Sequence, residues 1–319
     1  MTDRSSQGGE RGRGVSARAV GFLCLFVTSA GWGINWPAMK VLLREWPPLF
    51  ARGVAGLAAA AILAVVAWRI GESLRLPAGI GRRLTVAAFL NVFAWMGFTT
   101  LSLTWVSAGQ GALLVYTMPA WALLLAWPIH ARRPGPRAVV GLVLCFAGIL
   151  TLFGGGIALR VDQLPGVLSA LAAAILFALG TIVVAPLPLA PFAAVTWQLV
   201  VGCVPMVALG LALEHPRIDA LSTRGAALMA YMTIVPMGVC YLTWFAALRR
   251  LPGEVASMAT LLTPLIGVIA AAIALGEPLG ARQAAALVLV IGGLAFVLRG
   301  QSKKRRVGSE EKARRGRSV

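Results

Sequence analysis

The stretch LLVYTMPAWALLLAW, from Leu113 to Trp127, is similar to MATLLTPLIGVIAAAIAL, from Met258 to Leu275. The prolines of the two stretches, Pro119 and Pro264, are 145 positions apart. The same offset pairs Arg137 with Arg282 and Gly148 with Gly293. Similarity at a fixed offset within one chain indicates an internal duplication. We therefore predict that the chain consists of two copies of one unit.

The composition predicts that both copies lie in a membrane. The 319 residues are 59% hydrophobic and 13% charged, with a mean hydropathy of +0.83, which is outside the soluble globular class. A helix needs about 20 apolar residues to cross the hydrocarbon core of a bilayer. The sequence has ten such runs, at about 19–41, 49–68, 84–104, 110–129, 137–154, 165–185, 191–213, 225–247, 254–275 and 282–298. It predicts an all-α integral membrane protein with ten transmembrane helices.

The number of helices in each copy predicts how the copies are related. Five crossings make the second copy enter the membrane from the opposite side, so the two copies should be inverted repeats. We predict a first five-helix repeat over residues 19–154 and a second, inverted one over residues 165–298. Basic tails, residues 1–18 and 299–319, flank them. Secondary transporters use this arrangement to expose one site alternately to each side of the membrane.

The basic residues predict the orientation of the chain. Of 29 lysines and arginines, 22 fall in segments that share one side of the membrane with the N-terminus. Lysine and arginine accumulate in cytoplasmic segments, so both termini should be cytoplasmic, and we expect the inner membrane of a bacterium. The net charge of +18 is explained by this topology signal and by contact with anionic lipid. A nucleic-acid partner is not expected.

Several predicted spans carry aromatic and polar side chains where lipid favours aliphatic ones. In GWGINWPAMK, from Gly31 to Lys40, helical spacing places Trp32, Asn35, Trp36 and Met39 on one face. Polar side chains within spans normally face the bundle interior or a wet cavity. We therefore predict a substrate cavity lined by Trp32, Asn35, Trp36, Asn91, Trp95, Thr99, Tyr116, Met118, Tyr241, Trp244, Met258 and Thr263.

Most of these side chains also have a structural explanation. Asn35 and Asn91 could bond across helices, and Trp32 and Trp36 could belong to an interfacial aromatic belt. Methionines commonly fill gaps in a core. Trp95 lies near mid-span, where an interfacial belt is not expected, so cavity lining is favoured there.

Two basic residues and two prolines complete the predicted site. Aromatic walls with a few amide and hydroxyl groups suit an aromatic or large apolar amino acid, whose carboxylate needs hydrogen-bond donors. Lys40 and Arg52 are the basic side chains nearest the predicted outer mouth, and the alternative for both is an interfacial or structural role. Pro119 and Pro264 fall near the middle of helices four and nine, where proline permits a bend. We predict that they act as gates.

Acidic residues and histidines are predicted only in tails, loops and helix starts. Proton-coupled carriers commonly place a carboxylate or histidine within their spans, so we hypothesise that transport here runs downhill, the alternative being coupling to ions through groups that the sequence does not identify. The same pattern argues against an intramembrane enzyme, which would need paired acids or a metal-binding motif. The four cysteines lack metal or disulfide spacing. We predict no metal, no cofactor and a monomeric protein.

Three segments carry a resemblance to a known family. They are GWGINWPAMKVLLREWPPLFARG (Gly31 to Gly53), TMPAWALLLAW, and the stretch from LLTPLIG to FVLRG with its GEPLG turn at Gly276 to Gly280. Together they resemble the drug/metabolite transporter superfamily, in particular its EamA-type, ten-helix members and the YddG-like exporters of aromatic amino acids. The first copy departs from the pattern with IHARRPG where the second has LGEPLGA. The resemblance implies a secondary transporter that exports a small metabolite, the alternative being import or export of another metabolite or a drug.

Overall fold

The chain folds into a bundle of α-helices. A computed structural model describes residues 8–131, 133–152, 161–252, 255 and 261–297, with side chains from residue 17 onward. Within these ranges there is no β-strand. Seven helices of this part of the chain are long and apolar enough to cross a membrane, and three apolar helices are shorter. The class predicted from the apolar runs, an all-helical membrane protein, is confirmed.

The helices are numbered in chain order. The first half contains α1 (Gly8–Leu42), α2 (Pro48–Arg69), α3 (Gly81–Ser102), α4 (Ala108–His130) and α5 (Pro136–Leu152). The second half contains α6 (Leu164–Val183), α7 (Pro191–Leu213), α8 (Thr223–Leu248), α9 (Leu262–Leu275) and α10 (Ala281–Val297). The three shorter helices are α5, α9 and α10. Short 3₁₀ turns, Val161–Gln163 and Ile218–Ala220, precede α6 and α8.

Large apolar side chains cover the outside of the bundle. Examples on five different helices are Leu23, Trp68, Leu150, Ile273 and Val288, all exposed. Soluble monomers rarely expose apolar surface on this scale, whereas a helix satisfies its main-chain hydrogen bonds internally and so tolerates lipid. The outer surface is that of a multi-pass membrane protein.

Helices α2 and α7 pack against each other in opposite directions. Glu214 follows α7 and accepts hydrogen bonds of 3.0 and 2.9 Å from two main-chain amides in the first turn of α2. Glu72 follows α2 and accepts hydrogen bonds of 3.0 and 3.2 Å from two amides in the first turn of α7. Each carboxylate satisfies amides that have no partner within their own helix. The second helix of one half is thereby held antiparallel to the second helix of the other.

Helices α1 and α8 are also antiparallel. The hydroxyl oxygens of Thr28 and Thr243 lie 2.7 Å apart. Farther along α1, the Trp32 indole nitrogen donates to the Pro236 carbonyl oxygen, which lies earlier in α8, at 3.0 Å. These contacts bring the aromatic stripe of α1 against α8.

Helices α5 and α10 approach closely through glycines. A Cβ atom added to Gly141 or to Gly293 would lie 2.6 Å from the carbonyl oxygen of the other residue. Small residues let membrane helices pack with their backbones in contact. The neighbouring Gly292 has open space where a Cβ atom would stand. Of the adjacent glycines Gly292 and Gly293, only Gly293 is therefore needed for the contact with α5.

Carboxylates tie the loops together at one end of the bundle. We call this the Glu277 end, and it holds residues 43–47, 103–107, 214–222 and 276–280. Glu277 accepts hydrogen bonds from the Ala108 and Gly109 amides at 2.6 and 2.9 Å. Glu45 accepts from the Ser222 amide and hydroxyl at 2.8 and 2.7 Å. Glu214 makes the third such contact at this end. Each of the three carboxylates joins a different loop to the start of a different helix.

Among the described residues, fewer contacts of this kind join the loops at the opposite end. We call this the Glu72 end, and it holds residues 70–80, 184–190 and 249–252. Besides Glu72, the Arg83 guanidinium donates to the Pro186 carbonyl oxygen at 2.9 Å. The Trp197 indole nitrogen donates to the Leu74 carbonyl oxygen at 2.9 Å. The two ends are thus joined in different ways.

The two predicted gate prolines lie at helix starts. A turn at residues 116–117 divides α4, and its second part begins at Met118, so Pro119 stands in a first turn. Pro264 is likewise in the first turn of α9. Proline is tolerated there because first-turn amides have no acceptor within the helix. Pro119 thus lies near the middle of α4, where a turn interrupts the helix, and the equivalent placement of the two prolines in the two halves agrees with the repeat. Their role as gates stays a prediction.

Candidate functional site

Helices α3 and α8 each contain a π-helical segment. The segments are Phe89–Phe98 and Val235–Val239, and they begin 146 positions apart. Such wider turns are rare and occur frequently at functional sites. Trp95 lies inside the first segment and Tyr241 just after the second, again 146 positions apart. The two halves thus present equivalent aromatic side chains from irregular helix turns.

Trp32, Tyr241 and Trp244 form an aromatic cluster between α1 and α8. The ring centroid of Trp32 lies 6.1 Å from that of Tyr241 and 6.0 Å from that of Trp244. The carbonyl that accepts the Trp32 indole hydrogen bond belongs to Pro236, within the π segment. All three rings are only partly buried. The structure brings these three predicted residues together with ring surface left for another aromatic group.

Trp36 stands deeper in the bundle than Trp32. Its side chain is 3% exposed, and its ring centroid lies 6.1 Å from that of the partly buried Tyr116. A Cβ atom on Gly111 or on Gly267 would lie 3.1 or 3.2 Å from the Trp36 ring. Glycine at both positions therefore makes room for the indole. Thr263 is fully buried beside Tyr116, so Trp36, Tyr116 and Thr263 are close neighbours.

Trp95 packs against α6 in the second half. Its ring centroid lies 4.5 Å from that of Phe177. One helical turn earlier on α3, the Asn91 amide nitrogen donates to the Gln198 side-chain oxygen of α7 at 3.4 Å. A recess of about 210 Å³ opens at the Glu72 end between α3, α6 and α7, with Asn91, Thr181 and Gln198 in its wall. Asn91 therefore faces α6 and α7, whereas Trp32 and Tyr241 meet between α1 and α8.

Several buried polar atoms have no hydrogen-bond partner within the described ranges. Among the predicted site residues these atoms are Asn35 Oδ1, Asn91 Oδ1 and Thr99 Oγ1. Asn35 is 7% exposed and Thr99 5%. Buried polar atoms are normally hydrogen-bonded, and each exception calls for an explanation. Water or a solute can complete such groups.

The two predicted carboxylate-binding residues have different surroundings. The half-buried Lys40 amine donates to the carbonyl oxygens of Leu103 and Val106, the latter at 2.9 Å, so it holds the loop between α3 and α4. Arg52 in α2 is 5% exposed, and its Nε and Nη1 atoms have no acceptor in the part of the chain that is described. Arg52 thus has buried donors without a partner in this part of the chain, whereas the Lys40 amine is bonded to the loop.

The structure gives little information on the two methionines predicted to line the cavity. Met118 is partly buried in the first turn of the second part of α4. Met258 lies outside the described residues.

Phe177 and Gln198, which contact Trp95 and Asn91, were not predicted as site residues from the sequence. Gln198 stands as a polar residue within an apolar run, a signal that could have found it.

Comparisons with known proteins agree with this architecture. A family model described as the EamA-like transporter family matches residues 19–154 and 164–299. The chain belongs to the EamA-like transporter family. A solved crystal structure covers 88% of this EamA transporter and 96% of its own chain, with a TM-score of 0.59 at 18% identity. That likeness supports the fold alone.

Two bacterial relatives carry names that concern transport. The Bacillus subtilis protein named "Uncharacterized transporter YvbV" is 28% identical over 83% of this chain and 87% of its own. The Salmonella typhimurium "Probable amino-acid metabolite efflux pump" is 27% identical over 87% of this chain and 94% of its own. The EamA protein is thus a membrane transporter and not an enzyme, as the sequence predicted. In the described ranges, no group of three or more His, Cys, Asp or Glu side chains could hold a metal ion.

Proposed function

We propose that this EamA transporter exports aromatic or other large apolar amino acids. The observation that carries the proposal is the combination of partly buried rings with unpartnered polar atoms. Trp32, Tyr116, Trp95 and Tyr241 offer ring surface, and the Asn35 side chain offers a free buried oxygen. A flat apolar side chain would stack on the rings, and the ammonium group of an amino acid would bond to the oxygen. The name of the Salmonella relative, an amino-acid metabolite efflux pump, supports this substrate class.

We propose that the chain crosses the membrane ten times as two inverted five-helix repeats, residues 19–154 and 165–298. The antiparallel packing of α2 with α7 through Glu72 and Glu214 supports the inversion. The accumulation of Lys and Arg on one side supports cytoplasmic tails, residues 1–18 and 299–319, in a bacterial inner membrane.

Alternating access is the mechanism that inverted repeats support. With cytoplasmic termini, the Glu277 end is the outer end of the bundle. Its loops are joined to helix starts by Glu45, Glu214 and Glu277, which supports our proposal that this conformation is closed to the outside. Pro119 and Pro264 would be the pivots of α4 and α9, because each begins a helical segment beside the site.

The proposed binding site includes the residues predicted from the sequence. Trp32, Tyr241 and Trp244 would form one wall, and Trp36, Tyr116 and Thr263 the opposite one, with Asn35, Asn91, Trp95, Thr99, Met118 and Met258 between or beside them. Because the described acidic side chains lie outside the span interiors, we propose downhill export without proton coupling.

A transport assay tests the proposal. Purified protein in liposomes loaded with single amino acids should release phenylalanine, tryptophan or leucine faster than serine or lysine, relative to protein-free liposomes. Release should be the same with and without an imposed pH gradient. Equal release of all amino acids at the protein-free rate would refute the substrate class, and strict dependence on the gradient would refute downhill export.

A further inference from the structure

Arg52 is a buried cation whose charge is not balanced by any described residue. Its side chain is 5% exposed, and Nε and Nη1 find no hydrogen-bond acceptor within the described ranges. Buried guanidinium groups are normally paired, because removal from water without a partner is strongly unfavourable. An arginine in this condition suggests that an anion occupies the position during the protein's function.

The described acidic side chains bond elsewhere or lie at the surface. Four of them accept main-chain amide hydrogen bonds at helix starts, and these are Glu45, Glu72, Glu214 and Glu277. Asp219 pairs with Arg217 on the surface at 3.3 Å, and Asp162 is on an exposed turn. None of these described carboxylates is available to Arg52, so its anionic partner does not come from this part of the chain.

The surroundings of Arg52 connect it to the aromatic rings. Arg52 lies in the second turn of α2, near the Cys203 thiol of α7 and the Tyr241 hydroxyl of α8. Trp95 and Tyr241 pack against the same buried cluster that contains Cys203. A solute whose ring lies against Trp95 or Tyr241 would therefore have its polar end close to the guanidinium.

We propose that Arg52 binds the carboxylate of the transported solute, which makes a negatively charged group a requirement for recognition. This inference rests on the proposed export function and names the group that the site selects. The planar guanidinium offers parallel N–H donors that match the two oxygens of a carboxylate. An amine without a carboxylate would leave Arg52 unpaired and add a second positive charge, so the site rejects it.

Lys40 is not the carboxylate receptor. Its amine is already bonded to the carbonyl oxygens of Leu103 and Val106, and Glu277, bonded to the start of α4, lies nearby. A lysine held in this way stabilises the loop between α3 and α4 and has no need of a solute anion.

Three probes with the same ring separate the contributions of charge. L-phenylalanine carries both charges, 3-phenylpropionate carries only the carboxylate, and phenethylamine carries only the ammonium. Binding to the full chain in lipid nanodiscs is measured by calorimetry for the wild type, Arg52→Gln and Arg52→Met. Arg69→Gln is the matched control, because Arg69 is the exposed arginine at the other end of the same helix.

We expect phenylalanine and phenylpropionate to bind the wild type and Arg69→Gln alike, and phenethylamine to bind much more weakly. Charge-assisted hydrogen bonds of this kind correspond to a loss of about 10- to 100-fold in affinity when the arginine is replaced. Both Arg52 variants should show this loss for the two carboxylates. Arg52→Met should keep or raise the melting temperature, because it removes an unpaired buried charge.

The outcomes separate this inference from the proposed function. Arg52-dependent binding of phenylpropionate without binding of phenylalanine would support the anion site and refute amino-acid export. The anion site is refuted if phenethylamine binds as tightly as phenylalanine, or if no carboxylate binds. It is also refuted if Arg52→Met unfolds the protein while Arg52→Gln keeps full affinity, since Arg52 would then serve packing alone.

Discussion

Glu72 and Glu214 occupy exchanged positions in the bundle. Each follows one helix of the antiparallel pair α2 and α7, and each accepts two amide hydrogen bonds from the first turn of the other helix. Glu72 accepts from Phe192 and Ala193. Glu214 accepts from Leu49 and Phe50. This exchange is what a two-fold relation between the halves would produce. It also explains why acidic residues at the edges of the spans are compatible with a stable membrane protein.

Removal of either carboxylate should destabilise the pair of helices. We expect Glu214→Ala and Glu72→Ala each to lower the free energy of unfolding by about 0.5–2 kcal/mol, the range measured for helix caps. The measurement is thermal unfolding in detergent. Asp219→Ala, an exposed site in the loop that follows α7, is the control and should have little effect. Equal melting temperatures for all three variants would contradict the role of the caps.

The contact between Glu45 and Ser222 should make stability depend on acid pH. Hydrogen bonds from the Ser222 hydroxyl and then its amide lower the pKa of the exposed Glu45 carboxyl below its ordinary value of 4.5. The contribution is therefore complete above that ordinary pKa and is lost as pH falls through the lower value of the folded protein. Melting curves of the wild type and Glu45→Gln should differ at neutral pH and converge in acid. A difference that is constant with pH would contradict this assignment.

Two adjacent glycines in α10 should respond oppositely to the same change. Gly293→Ala places a Cβ atom 2.6 Å from the Gly141 carbonyl oxygen and 2.7 Å from the Cys145 nitrogen, so α5 and α10 must separate. Overpacking of this kind costs about 1–3 kcal/mol. Gly292→Ala meets no atom within 4 Å and should keep or slightly raise stability, since alanine favours helix. Similar losses in both variants would show that the two helices are not packed as described.

Lys40→Met should affect stability and leave anion recognition unchanged. Without the amine, the Leu103 and Val106 carbonyl oxygens lose a charged donor, a loss of about 1–3 kcal/mol. The melting temperature should fall, while the ratio of phenylalanine to phenethylamine affinity stays at the wild-type value. A reduced ratio would mean that Lys40 and not Arg52 receives the carboxylate.

The sequence predicted those parts of the fold that depend on local pattern. The apolar runs predicted helices, and the 145-residue offset predicted equivalent positions for Pro119 and Pro264. The structure adds that each proline stands in the first turn of a helical segment. The spacing on α1 correctly put Trp32 on a face that meets aromatic residues of α8. Hydropathy and helical periodicity are properties of short segments, so they can be read without knowing the neighbours.

The remaining features depend on residues that are far apart in the chain. The partners of Lys40 lie more than 60 positions away, and the turns widened to π geometry at Trp95 have no residue signature in the sequence. Acidic residues that hydropathy assigned to loops and helix starts turned out to hold the two halves together. Trp36 looked similar to Trp32 by pattern, but Gly111 and Gly267 create a closed slot for it, which only packing reveals.

Counterflow of labelled L-phenylalanine in liposomes tests the central claim, that an aromatic solute passes between the halves beside Trp95. Trp95→Ala removes the ring that packs on Phe177, and Trp105→Ala removes an exposed ring in the loop at the Glu277 end. The account predicts that Trp95→Ala lowers the initial rate by about two- to tenfold, in line with one aromatic contact, while folded Trp105→Ala transports at the wild-type rate. Wild-type transport by a folded Trp95→Ala variant would contradict the account.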